Sequence, residues 1–193
     1  MAKKGGRTRN YGGKQNTLQK RLNEYHLLLA TGDYDVSRSL FDNSGGFIAT
    51  NKEHNLVVDS NEDKSEFGTR VLASKGYRLY LDGEKTTISD NGKKKDGRIE
   101  KSPMDIKTIN VAGRNTIKGA VESAIAQGAK TVILVQNTPD MTIVYVKEQL
   151  YGKNGVIMKS PLRVVSKVEW VIVVGMKGTV HRHNLIEERS KRL

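Results

Sequence analysis

Residues 96–109 read DGRIEKSPMDIKTI. The apolar and β-branched side chains in this stretch predict two short strands, Gly97–Glu100 and Met104–Ile109. The residues between them, Lys101-Ser102-Pro103, are typical of a turn and would fold the first strand back beside the second. The stretch therefore predicts a β-hairpin near the middle of the chain.

A helix and a buried strand are predicted directly after this hairpin. Residues 115–127, NTIKGAVESAIAQ, carry apolar side chains at helical spacing, and Gly128 follows them as a typical helix end. The next stretch, Thr131–Val135, is apolar almost throughout, which is typical of a strand buried on both faces. This order predicts an α/β fold with a central mixed β-sheet, flanking helices and a right-handed crossover, like that of restriction endonucleases.

Further elements are predicted on both sides of this core. Upstream, the patterns predict a helix from Leu18 ended by Gly32, a strand at Phe47–Ala49, a helix at Glu62–Ser74 capped by Ser60 or Asn61, and a strand at Tyr77–Leu81. Downstream, Met141–Leu150 fits either a helix or a strand, with the helix favoured, and Val168–Val174 and the residues after Met176–Val180 are expected to form strands. Tyr77 and Tyr80 are expected in the core or on a sheet face, and His181, Arg182 and His183 at the surface.

Composition divides the chain into four segments. Residues 1–19 contain five basic side chains and no acid, which predicts a flexible basic arm that would contact nucleic acid, a virion or another larger assembly. Residues 20–43 form a helical N-terminal extension, and residues 44–183 form the α/β domain. Residues 184–193 are a charged tail, either helical or disordered.

The charge and residue types limit the partners and the chemistry. A formal net charge of +12 predicts a polyanionic partner, most commonly nucleic acid, with an anionic membrane as the rival interpretation. No apolar stretch is long enough to span a bilayer or to serve as a signal peptide, and we expect no membrane partner. We therefore expect a cytoplasmic protein, or one delivered into a target cell. The absence of cysteine excludes disulfides and thiolate metal sites. A divalent metal would be held by oxygen or imidazole, which favours magnesium or manganese and leaves zinc open.

The hairpin carries the side chains that could form a catalytic site. Because side chains alternate along a strand, Asp105 and Lys107 point to the same face while Ile106 points to the other, into the core. Asp96 starts the preceding strand and would come close to them. Two carboxylates and an ammonium can hold a divalent cation and a water beside a phosphodiester, although an exposed hairpin also carries alternating charges without any function.

The order of these features resembles the PD-(D/E)XK nuclease superfamily, with Lys95 where the superfamily name has proline. More narrowly, four runs are similar to the tRNA-nuclease toxin domain at the C-termini of contact-dependent growth inhibition proteins, relatives of which occur in phage and mobile-element proteins. The similarity covers about residues 44–180. The four runs are SGGFIATNKEH, EFGTRVLASKGYRLYL, KKKDGRIEKSPMDIKTI and AIAQGAKTVIL.

The resemblance implies a role for each site residue. Asp96 and Asp105 would hold the metal, with the backbone carbonyl of Ile106 as a further ligand. Glu66 would complete the set of metal ligands from its helix. A solvated helix carboxylate with no role in the site is an equally good interpretation of Glu66. Lys107 would orient the attacking water and balance charge in the transition state.

The remaining implied residues surround this set. Gln127 matches a glutamine found near such sites, or is simply a polar residue at a helix end. The basic side chains around Asp96 would grip the phosphate backbone, although a lysine run in a loop is also typical of a solvated surface. These side chains are Lys93, Lys94, Lys95, Arg98 and Lys101.

The expected function is metal-dependent hydrolysis of phosphodiester bonds in RNA, with tRNA favoured, or in DNA. The protein would be of toxin, phage or mobile-element type, and an acidic immunity protein would be its partner if it is a toxin. The alternatives are a non-catalytic nucleic-acid-binding or virion-associated protein with the same fold, and a structural assembly protein.

Overall fold

The computed structural model describes residues 11–55, 59–83, 96–160 and 166–191. In these residues, eight strands form a single mixed sheet in chain order. The strands are β1 (Leu40–Phe41), β2 (Phe47–Thr50), β3 (Arg78–Leu81), β4 (Gly97–Ile99), β5 (Ser102–Ile109), β6 (Thr131–Gln136), β7 (Trp170–Val174) and β8 (Val180–Asn184). The helices are α1 (Tyr11–Ala30), α2 (Ser65–Ser74), α3 (Thr116–Ala126), α4 (Ile143–Tyr151), α5 (Val156–Lys159) and α6 (Leu185–Ser190), with a 3-10 turn at Val36–Arg38.

The pairing of the strands confirms the predicted mixed sheet. β3, β4 and β5 are antiparallel neighbours, so the predicted hairpin forms. β5, β6 and β7 are parallel, with α3 connecting the first two, and β8 closes the edge antiparallel to β7. The turn of the hairpin comes earlier than predicted, because Glu100 adopts the left-handed conformation (φ 55°) and Ser102 already belongs to β5. The Glu100 carboxylate bonds the Arg78 backbone amide and guanidinium, which hold the residue in this conformation.

The two faces of the sheet are covered differently. On one face, α2 packs over Ile106, Ile133 and their neighbours from six strands. On the other face, α1 covers β2 and β3, whereas α3 and α4 cover β6 and β7. These two groups of helices belong to separate hydrophobic clusters. Between the clusters, on this face, lie the side chains of β4 and of residues 103–107 of β5, which belong to neither cluster. The candidate catalytic side chains lie in this interval.

Most of the predicted elements are confirmed, including the helical alternative for Met141–Leu150 and a helix in the charged tail. Two predicted helix starts are wrong. The first helix begins at Tyr11, so residues 11–19 of the predicted flexible arm are helical despite Gly12 and Gly13, which disfavour a helix. The basic side chains of residues 1–10 lie outside the described residues.

The start of α2 also differs from the prediction. The helix begins at Ser65, and neither Ser60 nor Asn61 caps it. The Lys64 amide instead donates to Thr108 Oγ1 of β5, and Asp63 Oδ1 accepts from the Ser65 amide. Contacts with the sheet therefore set the start of this helix, which a local cap signal cannot reveal.

Candidate active site

Asp105 and Lys107 lie on the same face of β5, as alternation predicts. Asp105 is only 1% exposed, whereas Lys107 is partly open to solvent. Lys107 Nζ lies 2.8 Å from Asp105 Oδ2 and donates a hydrogen bond to Gln127 Oε1, 3.3 Å away at the end of α3. The structure thus brings Asp105, Lys107 and Gln127 together, because the β5–α3–β6 crossover places the end of α3 over this face of β5.

Asp96 reaches the same place from the hairpin. The pairing of β4 with β5 ends at Gly97 and Met104, so the next outward amide of β5 has no strand partner on that side. The Asp96 carboxylate takes that position, with Oδ2 accepting from the Ile106 amide at 2.6 Å. The carboxylate therefore continues the hydrogen bonding of the hairpin and is fixed beside Asp105.

The electrostatics of Asp105 set it apart from an ordinary surface acid. Burial, together with the neighbouring negative charge of Asp96, raises the pKa of Asp105 to about 7, whereas Lys107 opposes the shift. Asp105 Oδ2 is buried, and among the described residues it accepts no well-aligned hydrogen bond despite the nearby ammonium. Two carboxylates thus face one ammonium, so an additional positive charge would relieve the site.

A hard divalent cation fits this donor set. Magnesium is held in proteins by one or two carboxylates and keeps waters or substrate phosphates as its remaining ligands. Zinc sites take three or four protein ligands, and the described residues contain no group of three or more histidine or acidic side chains at metal-binding distances. The buried, under-bonded oxygen of Asp105 and the adjacent Asp96 could hold such a cation, and the choice of magnesium or manganese over zinc stays a prediction. The role of the Ile106 carbonyl stays a prediction.

Glu66 does not join this site. Alternate residues of β5 face opposite sides, and α2 packs on the side of Ile106 and Thr108, not on that of Asp105 and Lys107. The Glu66 carboxylate accepts from Arg70 Nε and Nη2 at 2.9 and 2.7 Å. The structure thus does not bring Glu66, predicted as a metal ligand or as a solvated helix carboxylate, together with Asp96 and Asp105, and it pairs the Glu66 carboxylate with Arg70.

Arg98 has a structural partner. Its guanidinium donates two hydrogen bonds to the Asp82 carboxylate, at 3.1 and 3.0 Å, and stacks over the Tyr80 ring. The amide of Asp82 donates to the Asp96 carbonyl. Arg98 therefore holds Asp82, which in turn binds the backbone of a site residue, and the contact of Arg98 with phosphate stays a prediction.

The other predicted phosphate contacts are lysines in and before the hairpin. Lys101 is exposed in the hairpin turn, and its contact with nucleic acid stays a prediction. Lys93, Lys94 and Lys95 lie outside the described residues.

Two residues of structural interest escaped sequence reasoning. Asp82 directly follows β3, and no sequence motif surrounds it. The carbonyl oxygen of Asp82 lies 2.8 Å from His54 Nδ1.

His183 was expected at the surface but is buried. It lies opposite Val171 in the pairing of β7 with β8, which turns it toward α4, and Tyr151 Oη lies 2.8 Å from His183 Nδ1. Burial lowers the pKa of His183. Only the register of β8 and the packing of α4 reveal these contacts.

Comparison with known proteins gave a structural similarity. No protein-family model and no curated protein matches the chain. Among solved structures, the chain is similar to one described as a CdiA-CT/CdiI toxin and immunity complex from Burkholderia pseudomallei, with 15% sequence identity and a TM-score of 0.47. The match covers 71% of this chain and 98% of the other. Within the described part of the chain, no helix is both long enough and apolar enough to cross a membrane.

Proposed function

We propose that this protein is a metal-dependent endonuclease. The observation that carries the proposal is the convergence of Asp96, Asp105 and Lys107 at one point of the β4–β5 hairpin, with Gln127 against the lysine. Strongly perturbed carboxylates of this kind are concentrated at functional sites, because a scaffold gains nothing from an under-bonded buried acid. The motif resemblance described above supports the same chemistry.

Each side chain has a role that follows from its position. Asp96 and Asp105 would hold the cation. A bound magnesium or manganese ion supplies charge neutralisation of the phosphodiester and a lowered pKa for water. The Lys107 ammonium, held between Asp105 and Gln127, would orient the attacking water and balance the charge that develops on the phosphate. Gln127 would restrict the lysine to this direction.

The substrate is inferred from charge. The net charge of +12 attracts polyanions, and we infer RNA, with tRNA favoured by the resemblance, or DNA. A toxin of phage, mobile-element or growth-inhibition type would need an acidic immunity partner that matches this basic protein. A pull-down from the native host should recover such a protein, and recovery of none would contradict the toxin assignment.

Cleavage assays test the catalytic proposal directly. Purified protein is incubated with tRNA, plasmid and single-stranded DNA in magnesium, manganese, zinc or EDTA. We expect cleavage in magnesium or manganese and none in EDTA, with Asp105→Ala and Lys107→Ala each reducing the rate at least about a hundredfold. Asp140→Ala and Lys153→Ala, at exposed positions away from the cluster, are the matched controls. Near wild-type cleavage by Lys107→Ala would overturn the assignment.

Metal binding has a readout that does not depend on cleavage. A ligand that binds only the folded state stabilises it by mass action. Magnesium should therefore raise the thermal unfolding midpoint of the wild-type protein above pH 7, where Asp105 is charged. The Asp140→Ala control should respond like wild type. Asp105→Asn should show a much smaller increase, and an equal increase would place the metal elsewhere.

A further inference from the structure

A pocket lies at the N-terminal ends of the parallel strands, at the opposite end of β5 from the start of α3. Its volume is about 380 Å³, which is within the range of small-ligand sites. Ser102, Thr131 and Trp170, the first residues of β5, β6 and β7, line it, together with the β4–β5 turn and Arg182 of β8. Because its floor is the sheet face covered by α2, this pocket is separate from the Asp96–Asp105–Lys107 cluster.

An arginine stacked on aromatic rings forms one wall of this pocket. The Arg182 guanidinium carbon lies 4.2 Å from the centre of the Trp170 ring and 5.8 Å from that of Tyr77. Trp170 and Arg182 are diagonal neighbours on β7 and β8, and neither is buried. A guanidinium stacked by its plane keeps its N–H groups available at its edge for a phosphate.

The charges in the pocket leave an excess of free cations. Glu100 is paired with Arg78, and the Glu169 carboxylate accepts from Trp170 Nε1. Lys101, Lys130 and Arg182 are exposed, and within the described residues no carboxylate lies at ion-pair distance from any of them. The pocket thus combines an indole with three positive charges and two carboxylates, of which Glu100 is already paired with Arg78.

We propose that this pocket binds a nucleotide of a single-stranded nucleic acid. A base would lie against the Trp170–Arg182 wall, and the adjoining phosphates would contact Lys101 and Lys130. Aromatic stacking requires an unstacked base, so the pocket selects single strands over duplexes. This inference rests on the proposed nuclease function for the identity of the polymer and narrows its substrate.

The position of the pocket relates it to the catalytic hairpin. Ser102 lines the pocket and Asp105 lies three residues further along the same strand, which corresponds to about 10 Å. Because the pocket and Asp105 lie on opposite faces of the sheet, an oligonucleotide held at the β4–β5 turn would pass around that turn to reach the site residues of the hairpin. The pocket would fix which part of a strand is presented for cleavage.

Trp170 provides a direct test, because it is the only tryptophan in the chain. The full-length protein is titrated in EDTA with a short single-stranded RNA, its DNA counterpart, a duplex of the same sequence and poly-glutamate. We expect saturable quenching of Trp170 fluorescence by the single strands, with affinity at least about tenfold lower for the duplex. Absence of quenching, or equal quenching by duplex or by poly-glutamate, would overturn the proposal.

Charge and stacking are separated by variants. Lys101→Ala/Lys130→Ala should weaken single-strand binding about tenfold and flatten the salt dependence of log K by about 0.7 per lysine. The matched control is Lys153→Ala/Lys167→Ala, which removes two exposed lysines outside the pocket. Weakening no greater than that of the control would contradict the phosphate contacts.

A conservative substitution tests the stacked arginine. Arg182→Ala should weaken binding about tenfold, but it also removes packing on Trp170. Arg182→Lys keeps the charge and should lower affinity while leaving the salt slope unchanged, because a lysine does not reproduce the planar stack. Wild-type affinity in Arg182→Lys would overturn the stacking role. Since all binding is measured in EDTA, quenching without any metal-dependent cleavage would contradict the nuclease proposal and leave the pocket assignment standing.

Discussion

At the residue scale, Asp105 is the most unusual group in the described structure. Its pKa is raised above the ordinary value for a carboxyl, so between about pH 4 and pH 7 the folded state binds a proton that the unfolded state has lost. Stability therefore falls as the pH rises through this window. Above pH 7 the folded protein carries a buried charge that water would solvate better. In the proposed function, a bound cation would offset this cost.

Replacing this charge should stabilise the protein and abolish its activity together. We expect Asp105→Asn to be more stable than wild type at pH 8 by about 1–3 kcal/mol, since each unit of pKa shift corresponds to about 1.4 kcal/mol. At pH 5, where Asp105 is largely protonated, the difference should nearly vanish. Urea unfolding in EDTA at the two pH values measures both quantities. A variant less stable than wild type at pH 8 would contradict the raised pKa.

At the element scale, the β4–β5 hairpin depends on a side chain for one of its hydrogen bonds. Asp96 Oδ2 accepts from the Ile106 amide at the point where the strand pairing ends. The Asp82 amide and carbonyl link the same segment to β3 and to His54. The Asp96 carboxylate is therefore positioned by a backbone hydrogen bond rather than by packing alone.

Asp96 should consequently contribute to stability as well as to catalysis. Asp96→Ala leaves the Ile106 amide without its partner and should cost about 1–3 kcal/mol. Asp96→Asn keeps an acceptor oxygen and should lose less stability, although both variants should lose metal-dependent cleavage. Chemical unfolding and cleavage assays on the same preparations separate the two effects. Equal stability of Asp96→Ala and wild type would contradict the hydrogen bond to Ile106.

The docking of α1 is a second property of an element. Arg78 of β3 bonds both Glu24 of α1 and Glu100, and Tyr80 donates to the same Glu24. These groups are only partly buried, and their ion pairs with Arg78 hold its pKa above the usual range. The network joins a polar side of α1 to the sheet beside the apolar contact of Tyr25 with Phe47.

Breaking this network should loosen α1 without unfolding the sheet. We expect Arg78→Ala to destabilise the protein by about 1–2 kcal/mol, as two carboxylates lose their shared partner. Backbone amides of residues 20–30 should then exchange faster with solvent than those of β5 and β6. Arg70→Ala, which removes an exposed pair with Glu66, is the control and should cost less than about 0.5 kcal/mol. Unchanged exchange in α1 would contradict the docking role of Arg78.

At the scale of the whole molecule, charge governs the encounter with substrate. The chain has 33 basic and 21 acidic residues, so association with a polyanion releases counterions and weakens as salt is added. The described structure engages several cations internally, such as Arg78 and Arg98, and leaves others exposed, such as Lys101 and Lys130. In the proposed function, the exposed set, rather than the total, would determine how strongly nucleic acid is held.

Nucleic-acid binding should therefore depend on ionic strength and not on the catalytic charge. The inactive Asp105→Asn variant should bind single-stranded RNA at least as tightly as wild type in EDTA. Its affinity should fall by at least about tenfold between 50 and 200 mM salt. Fluorescence anisotropy of a labelled RNA measures this dependence. Affinity that does not change with salt would contradict electrostatic recognition of the backbone.

The sequence alone determined the order of the elements and the core of the site. Periodicity specified the hairpin, α3 and the buried β6, and the spacing of Asp105 and Lys107 on one strand already placed them on one face. These are local properties, because side-chain direction along a strand or helix repeats over two to four residues.

Only the tertiary structure decided which distant groups meet this face. It put Glu66 on the opposite side of the sheet, paired Arg98 with Asp82, buried His183 against Tyr151 and brought Trp170 and Arg182 together above Lys101 and Lys130. The physical reason is that strand register and the choice of covering helix depend on long-range packing. A sequence pattern that repeats over a few residues therefore cannot predict these contacts.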